Sequence, residues 1–103
     1  MDALVDNMIA LDADAEGYLK NYNDWTPEWS KAVAGRLNIN LTDKHWEVIN
    51  WLRKKEEEKV ALSIRKVGNS GVVDIKQFYQ LFPGAPLKNA SKIAGIKKPV
   101  SCI

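Results

Sequence analysis

The sequence predicts a mainly α (α+β) protein: a small bundle of about five helices, preceded by a short N-terminal β-hairpin and followed by a mobile C-terminal arm. Three observations predict it. Helix start signals recur at Thr26-Pro27, Thr42-Asp43, Asp74 and Pro86, each an N-cap residue or a first-turn proline ahead of an apolar run. Behind them, apolar residues return at three-and-four spacing, the period of one helix face. Between them the chain is punctuated at Gly17, Gly68-Asn69-Ser70-Gly71, Pro83-Gly84 and Gly95.

At the N-terminal end, Val5, Met8, Ile9 and Leu11 lead into the turn-rich run Asp12-Ala13-Asp14-Ala15-Glu16-Gly17 and then Tyr18-Leu19. This reads as a small hairpin closed at about residues 13–17. Thr26 caps the first helix, Pro27 takes its first position, and Glu28 lies beside the positive end of the helix dipole. That helix should run to about Leu37 and bury Trp29, Val33 and Leu37, with Ala32 beside them.

Thr42 repeats the cap. Trp46, Ile49 and Leu52 then follow at helical spacing, with Arg53 adjoining the same stripe, so a second helix runs from about Asp43 to Lys55 or beyond. The nearly all-charged run Arg53 to Lys59 has the composition of a solvated helix end. A short third helix is expected over Leu62 to Val67, stopped by Gly68-Asn69-Ser70-Gly71. Asp74 caps a fourth helix reaching Leu81 that buries Ile75, Phe78 and Leu81 or Phe82, and Pro83-Gly84 ends it. Pro86 starts a fifth helix whose last turn is Ile93-Ala94, with Gly95 just past its end.

The resulting division is a single helical domain with its hairpin over residues 1–95 and an arm over residues 96–103 that carries Cys102. Fully extended, the seven residues from Gly95 to Cys102 span roughly 23 Å at about 3.3 Å per residue. Pro99 stiffens the arm and removes one donor.

A chain of 103 residues with 46% apolar residues has the size and composition of one globular domain. No stretch reaches the roughly 20 apolar residues of a membrane span, and the N-terminus lacks the basic start and apolar run of a secretory signal. The expected location is therefore cytoplasmic, with no membrane association, and a reducing compartment suits an exposed thiol. One cysteine and one histidine do not compose an ordinary four-ligand zinc site, so no metal and no cofactor are expected.

The net charge of +2 is unevenly placed, because residues 75–103 hold five lysines and no acid while all thirteen Asp/Glu lie before them. Such a basic end steers toward an acidic protein groove or toward phosphate; it also serves simply to keep a mobile tail soluble.

Cys102, the only cysteine, is the leading candidate for a working atom, since no intrachain disulfide is open to it. Only the thiolate is nucleophilic; Lys97 and Lys98 favour it and the carboxylate of Ile103 opposes it, both screened in a solvated arm. Activation is therefore expected on docking in a partner. Arg65, beside Ile64 on a short apolar helix, is suited to holding an acidic group of a partner, to anchoring the tail carboxylate, or to an internal ion pair. Tyr79 and Lys92 are expected to flank the base of the arm, with Lys97, Lys98 and Pro99 as its docking residues. Ser91 is expected on the surface facing the arm. His45, directly before a helical tryptophan, reads as structural rather than as a base for Cys102. Trp25, Trp29, Trp46 and Trp51 read as packing residues. A nucleic-acid-binding regulator is the alternative suggested by helix-turn-helix-like spacing and the basic last third, but residues 74–82 offer only Lys76, Gln77 and Gln80 for reading bases.

The segment Leu81-Phe82-Pro83-Gly84-Ala85-Pro86, Ala90, Lys92-Ile93-Ala94-Gly95, Lys98-Pro99 and the penultimate Cys102 closely resembles the DsrC/TusE family. Gly17-Tyr18-Leu19, Trp25, Leu41-Thr42, His45-Trp46-Glu47-Val48-Ile49, Leu52-Arg53 and Ile64-Arg65 agree in order, so the resemblance covers nearly the whole chain. It implies a small orthogonal helical bundle with a helix-turn-helix-like core, and an arm that passes sulfur between donor and acceptor proteins. One branch of the family serves dissimilatory sulfite reductase, for which an accessory, gamma-type role is the other implied reading. The second branch supplies sulfur for tRNA 2-thiouridine.

Both branches use the penultimate cysteine, and the sulfite reductase branch adds a second one eleven positions earlier, where this chain has Ser91. A hydroxyl neither holds sulfane sulfur nor resolves a disulfide. The resemblance therefore implies intermolecular chemistry: Cys102 takes sulfur from a donor persulfide and gives it to an acceptor thiol. The connection from Arg65 to Phe78 is shorter than in relatives, and Ala85-Pro86 replaces their Gly-Pro, with Gly84 one place earlier.

Overall fold

The helical body begins where Thr26 turns the chain. Its hydroxyl accepts the Trp29 N–H and Pro27 occupies a position whose N–H would be unpaired in any case, so α1 runs Pro27–Arg36. The computed structural model describes residues 13–99. After a 3₁₀ turn (Tyr22–Asp24) and α1 come α2 (Asp43–Glu57), α3 (Ile64–Gly68), α4 (Ile75–Leu81) and α5 (Pro86–Ala94).

The expected set of about five helices is thus present, and four of them begin at the residues the caps indicated. Asp74 shows why: its carboxylate accepts the Gln77 N–H at 2.7 Å while the Gln77 side chain accepts the Asp74 N–H, a reciprocal capping box. The third helix starts at Ile64, two residues later than expected, because the Ser63 hydroxyl accepts the Lys66 N–H at 3.0 Å and so fixes the first turn. Of the expected hairpin, the described residues show only its turn, closed by one isolated antiparallel bridge, Ala13 to Leu19, with the Asp14 N–H on the Tyr18 carbonyl, and no strand. Val5, Met8, Ile9 and Leu11 lie outside the described residues.

α5 is the common neighbour. α1, α2 and α4 pack on it, and α3 packs on α4 across the Asn69–Asp74 connection. Leu87, Ala90, Ile93 and Ala94 of α5 meet Trp29 and Val33 of α1, Val48, Ile49 and Leu52 of α2, and Phe78 and Phe82 at α4, all buried. Burying a side chain of this size contributes roughly 1.5–3 kcal/mol.

Ile75, expected in the core, is 45% exposed. Phe78 and Phe82, four residues apart, take the inward side of α4 with no exposed surface, and Ile75 instead lies over Gly68, where a Cβ would collide with it. Leu37 and Trp46 are only partly buried but pack against the core cluster, to which Ala34 and Val48 also belong.

Candidate functional site

The described structure builds the root of the arm, and it does so by using every carbonyl of the last turn of α5. Helix C-termini leave carbonyls without intrahelical donors. Here Gly95 takes the left-handed conformation (φ 69°, ψ 34°), its N–H reaching the Lys92 carbonyl at 3.3 Å, and the Ile96 N–H returns to the Ser91 carbonyl at 3.1 Å. This pair of bonds is a Schellman closure.

The Lys92 carbonyl also accepts the Trp29 indole N–H at 2.8 Å. The Ile93 carbonyl accepts the Ser30 hydroxyl at 2.5 Å, and Ser30 in turn accepts the Trp25 indole N–H at 2.8 Å. Arg53 completes the set: its Nη1 donates to the carbonyls of Ala94 at 2.9 Å and Gly95 at 3.4 Å, and its Nη2 to that of Tyr22 at 3.1 Å.

The Arg53 guanidinium is held between two rings, 4.0 Å from the Tyr22 centroid and 4.2 Å from that of Trp25. The Tyr22 hydroxyl donates back to the Arg53 carbonyl at 2.9 Å. Burial pushes the Arg53 pKa down from its ordinary value, partly opposed by Tyr22 and Glu57. Arginine nevertheless remains a cation. A positive charge at a helix C-terminus also complements the helix dipole. Gly95 is locked from the other side, since a Cβ there would meet Trp25 and Leu19.

Residues 96–99 continue from this anchored point. Ile96, assigned to the arm by the sequence, is 1% exposed and belongs to the core, so the packed body extends one residue past the expected boundary. Lys97 and Lys98 are exposed, and with Pro99 they border a small cleft of about 110 Å³ lined also by Glu56, Val60 and Leu62. Lys98 reaches Glu16 at 2.8 Å, an exposed pair that contributes little. Cys102 lies outside the described residues.

The other expected site residues are dispersed. Lys92, in the last turn of α5, is partly buried, with its ammonium 5.4 Å from the Tyr18 ring. Tyr79 is not beside it: it shares a cleft with Gly84–Lys88 at the opposite end of α5, on the order of 10 Å away along the helix axis. Arg65 is exposed on α3, and its guanidinium forms no hydrogen bond or ion pair with any described residue, so no internal pair is made among the described residues. Ser91, expected on the surface, has no exposed area, and its hydroxyl has no partner among the described residues. His45 is buried with both ring nitrogens engaged, Nδ1 with the Thr42 N–H at 3.1 Å and Nε2 with the Leu81 carbonyl at 2.8 Å. That is a structural role.

Arg53 is the residue whose part was hardest to read. A signal existed, since a cation on the apolar stripe of Ile49 and Leu52 must find partners within the fold. Its partners, however, come from the other end of the chain.

Comparison with known proteins adds the context of the arm. A family described as DsrC like protein matches residues 6–103. The Sulfurtransferase TusE of Yersinia pseudotuberculosis is 39% identical over 106 aligned positions, covering 90% of this chain and 94% of that one. The solution structure of DsrC from Allochromatium vinosum is similar with a TM-score of 0.75 and 38% identity, covering 88% of each chain. The crystal structure of the oxidized gamma-subunit of the dissimilatory sulfite reductase (DsrC) from Archaeoglobus fulgidus is similar with a TM-score of 0.74 and 31% identity, covering 88% of this chain and 90% of that one.

Proposed function

The chain belongs to the DsrC-like protein family, and from that premise we propose that it is a sulfur carrier which shuttles persulfide sulfur on Cys102 between partner proteins of a sulfur relay. The observation that carries this reading is the anchored root at Gly95, which presents a short basic segment leading to the chain's one thiol. A carrier needs no cavity for substrate, only a thiol held out from a rigid body.

The chemistry follows from a single thiol. The Cys102 thiolate attacks the outer sulfur of a donor persulfide; the donor S–S bond breaks, a new S–S bond forms on Cys102, and the donor leaves as a thiolate. An acceptor thiolate then repeats the step on the Cys102 persulfide. No net oxidation occurs in either step. Ser91 takes no part, being a hydroxyl sealed in the core.

The partners are accordingly a sulfur-donor protein and a sulfur-acceptor protein, met in the cytoplasm. The arm begins after Ile96; Lys97, Lys98 and Pro99 dock it, Lys92 borders its root, and Arg65, whose guanidinium has no partner among the described residues, offers its charge to an acidic group of a partner. No helix among the described residues is long and apolar enough to cross a membrane.

Cyanide tests the reading. It attacks the outer sulfur of a persulfide and releases thiocyanate plus the original thiolate, so protein treated with a persulfide donor and desalted should yield thiocyanate equimolar with Cys102. Absence of thiocyanate would count against the carrier.

A second reading is favoured by the likeness to a sulfite reductase gamma-subunit: an accessory role in which the same arm docks in that enzyme. Co-purification with sulfite reductase that is lost on truncation after Ile96, without transfer of labelled sulfur, would select it.

A further inference from the structure

Among the described residues the two exposed large hydrophobic side chains are Ile75 at 45% and Tyr79 at 47%. They are four residues apart on α4, so they share one strip of that helix, flanking the side that buries Phe78 and Phe82. Beside Tyr79 lies a dimple of about 190 Å³ between α3, α4 and the start of α5, walled by Ile64 and Lys88 and floored by the buried Pro86 and Leu87. Ligand pockets ordinarily span roughly 300–1,000 Å³. This one has room for a single apolar side chain.

The charged residues within α3 and α4 and on the dimple wall are all basic. Arg65 and Lys66 follow Ile64 on α3, Lys76 stands between Ile75 and Tyr79, and Lys88 lines the dimple itself. None of these four cations has a carboxylate partner among the described residues. From Lys59 to the end of the sequence the only acid is Asp74, and its carboxylate is engaged in the cap of α4. Exposed apolar side chains on one face, a small socket and unpaired like charges are what an interface offers to a complementary surface.

We propose that the α3–α4 face, beside the first turn of α5, is a second docking surface for an acidic partner protein that seats one apolar side chain in the Tyr79 dimple. It deepens the relay reading by giving the partner's chemistry, and rests on that reading only for the partner's role. A partner held here is aligned independently of Cys102, so the arm need supply only the thiol.

The test uses the full chain carrying Cys102→Ser, so that failure of sulfur loading and failure of this surface are separate results. The probe is a short Glu-rich peptide with one Leu and one Phe, titrated while amide resonances are followed. Saturable shifts confined to Ile64, Ile75, Lys76, Tyr79 and Lys88, reduced by salt and weakened about tenfold by Lys76→Glu or Tyr79→Asp, support the proposal. Both positions are exposed, and an unchanged urea midpoint shows that each variant folds; Tyr79→Ser serves if Tyr79→Asp does not. Three outcomes overturn it: shifts spread over remote lysines such as Lys20 and Lys31, the same shifts produced more tightly by a short DNA duplex, or the same shifts on concentrating the protein alone, which would make a second copy the occupant.

Discussion

The guanidinium of Arg53 donates to the Ala94 carbonyl at 2.9 Å across 41 residues of sequence. Through that bond α2 holds the last turn of α5, just ahead of the residues that lead toward Cys102. The same side chain reaches Gly95 and Tyr22 and is stacked on two rings, so its loss removes several interactions together. Charge-assisted hydrogen bonds contribute about 1.5–3 kcal/mol, and cation–π contacts about 0.5–1 kcal/mol at exposed sites. Arg53 is partly exposed, so Arg53→Ala should cost about 2–3 kcal/mol in urea unfolding. Arg53→Lys should recover only a minor part, because a point charge cannot serve three carbonyls and two rings.

Gly95 and Gly71 make a controlled pair. Both have positive φ, 69° and 84°, but a Cβ on Gly95 would meet Trp25 and Leu19 whereas one on Gly71 meets open space. Gly71→Ala should therefore carry only the cost of left-handed backbone, about 1 kcal/mol. Gly95→Ala adds overpacking and should cost about 2–4 kcal/mol. Equal unfolding midpoints for the two variants would show that the arm root is not tightly packed.

Two serines with no exposed surface should respond in opposite ways. Ser30→Ala strands the Trp25 indole N–H and the Ile93 carbonyl, and should destabilise by about 2–3 kcal/mol. Ser91→Ala removes a hydroxyl with no partner among the described residues and should be neutral or stabilising by up to about 1 kcal/mol. Thermal or urea unfolding of the two variants beside the parent decides the matter.

The local parts of this fold are legible because caps and spacing are local chemistry. Thr26, Thr42, Asp74 and Pro86 each mark a helix start, and Gly95 marks an end. The third helix is displaced because apolar Leu62 suggests an early start while Ser63, a better cap, defines the real one. Ile75 misleads because a first-turn apolar residue at helical spacing looks like core until the packing of α3 beside it is known. Ser91 and Tyr79 mislead for one reason: the direction in which a helix faces depends on its neighbours. The part played by Arg53 could not be read locally either, since its partners Ala94 and Gly95 lie in the last helix and just beyond it.

Intact mass after incubation with a persulfide donor tests the central claim most directly. The account predicts an adduct of about 32 Da, one sulfur atom, on the parent protein, removed by added thiol and absent from Cys102→Ser. No adduct on the parent, or the same adduct on Cys102→Ser, would contradict it.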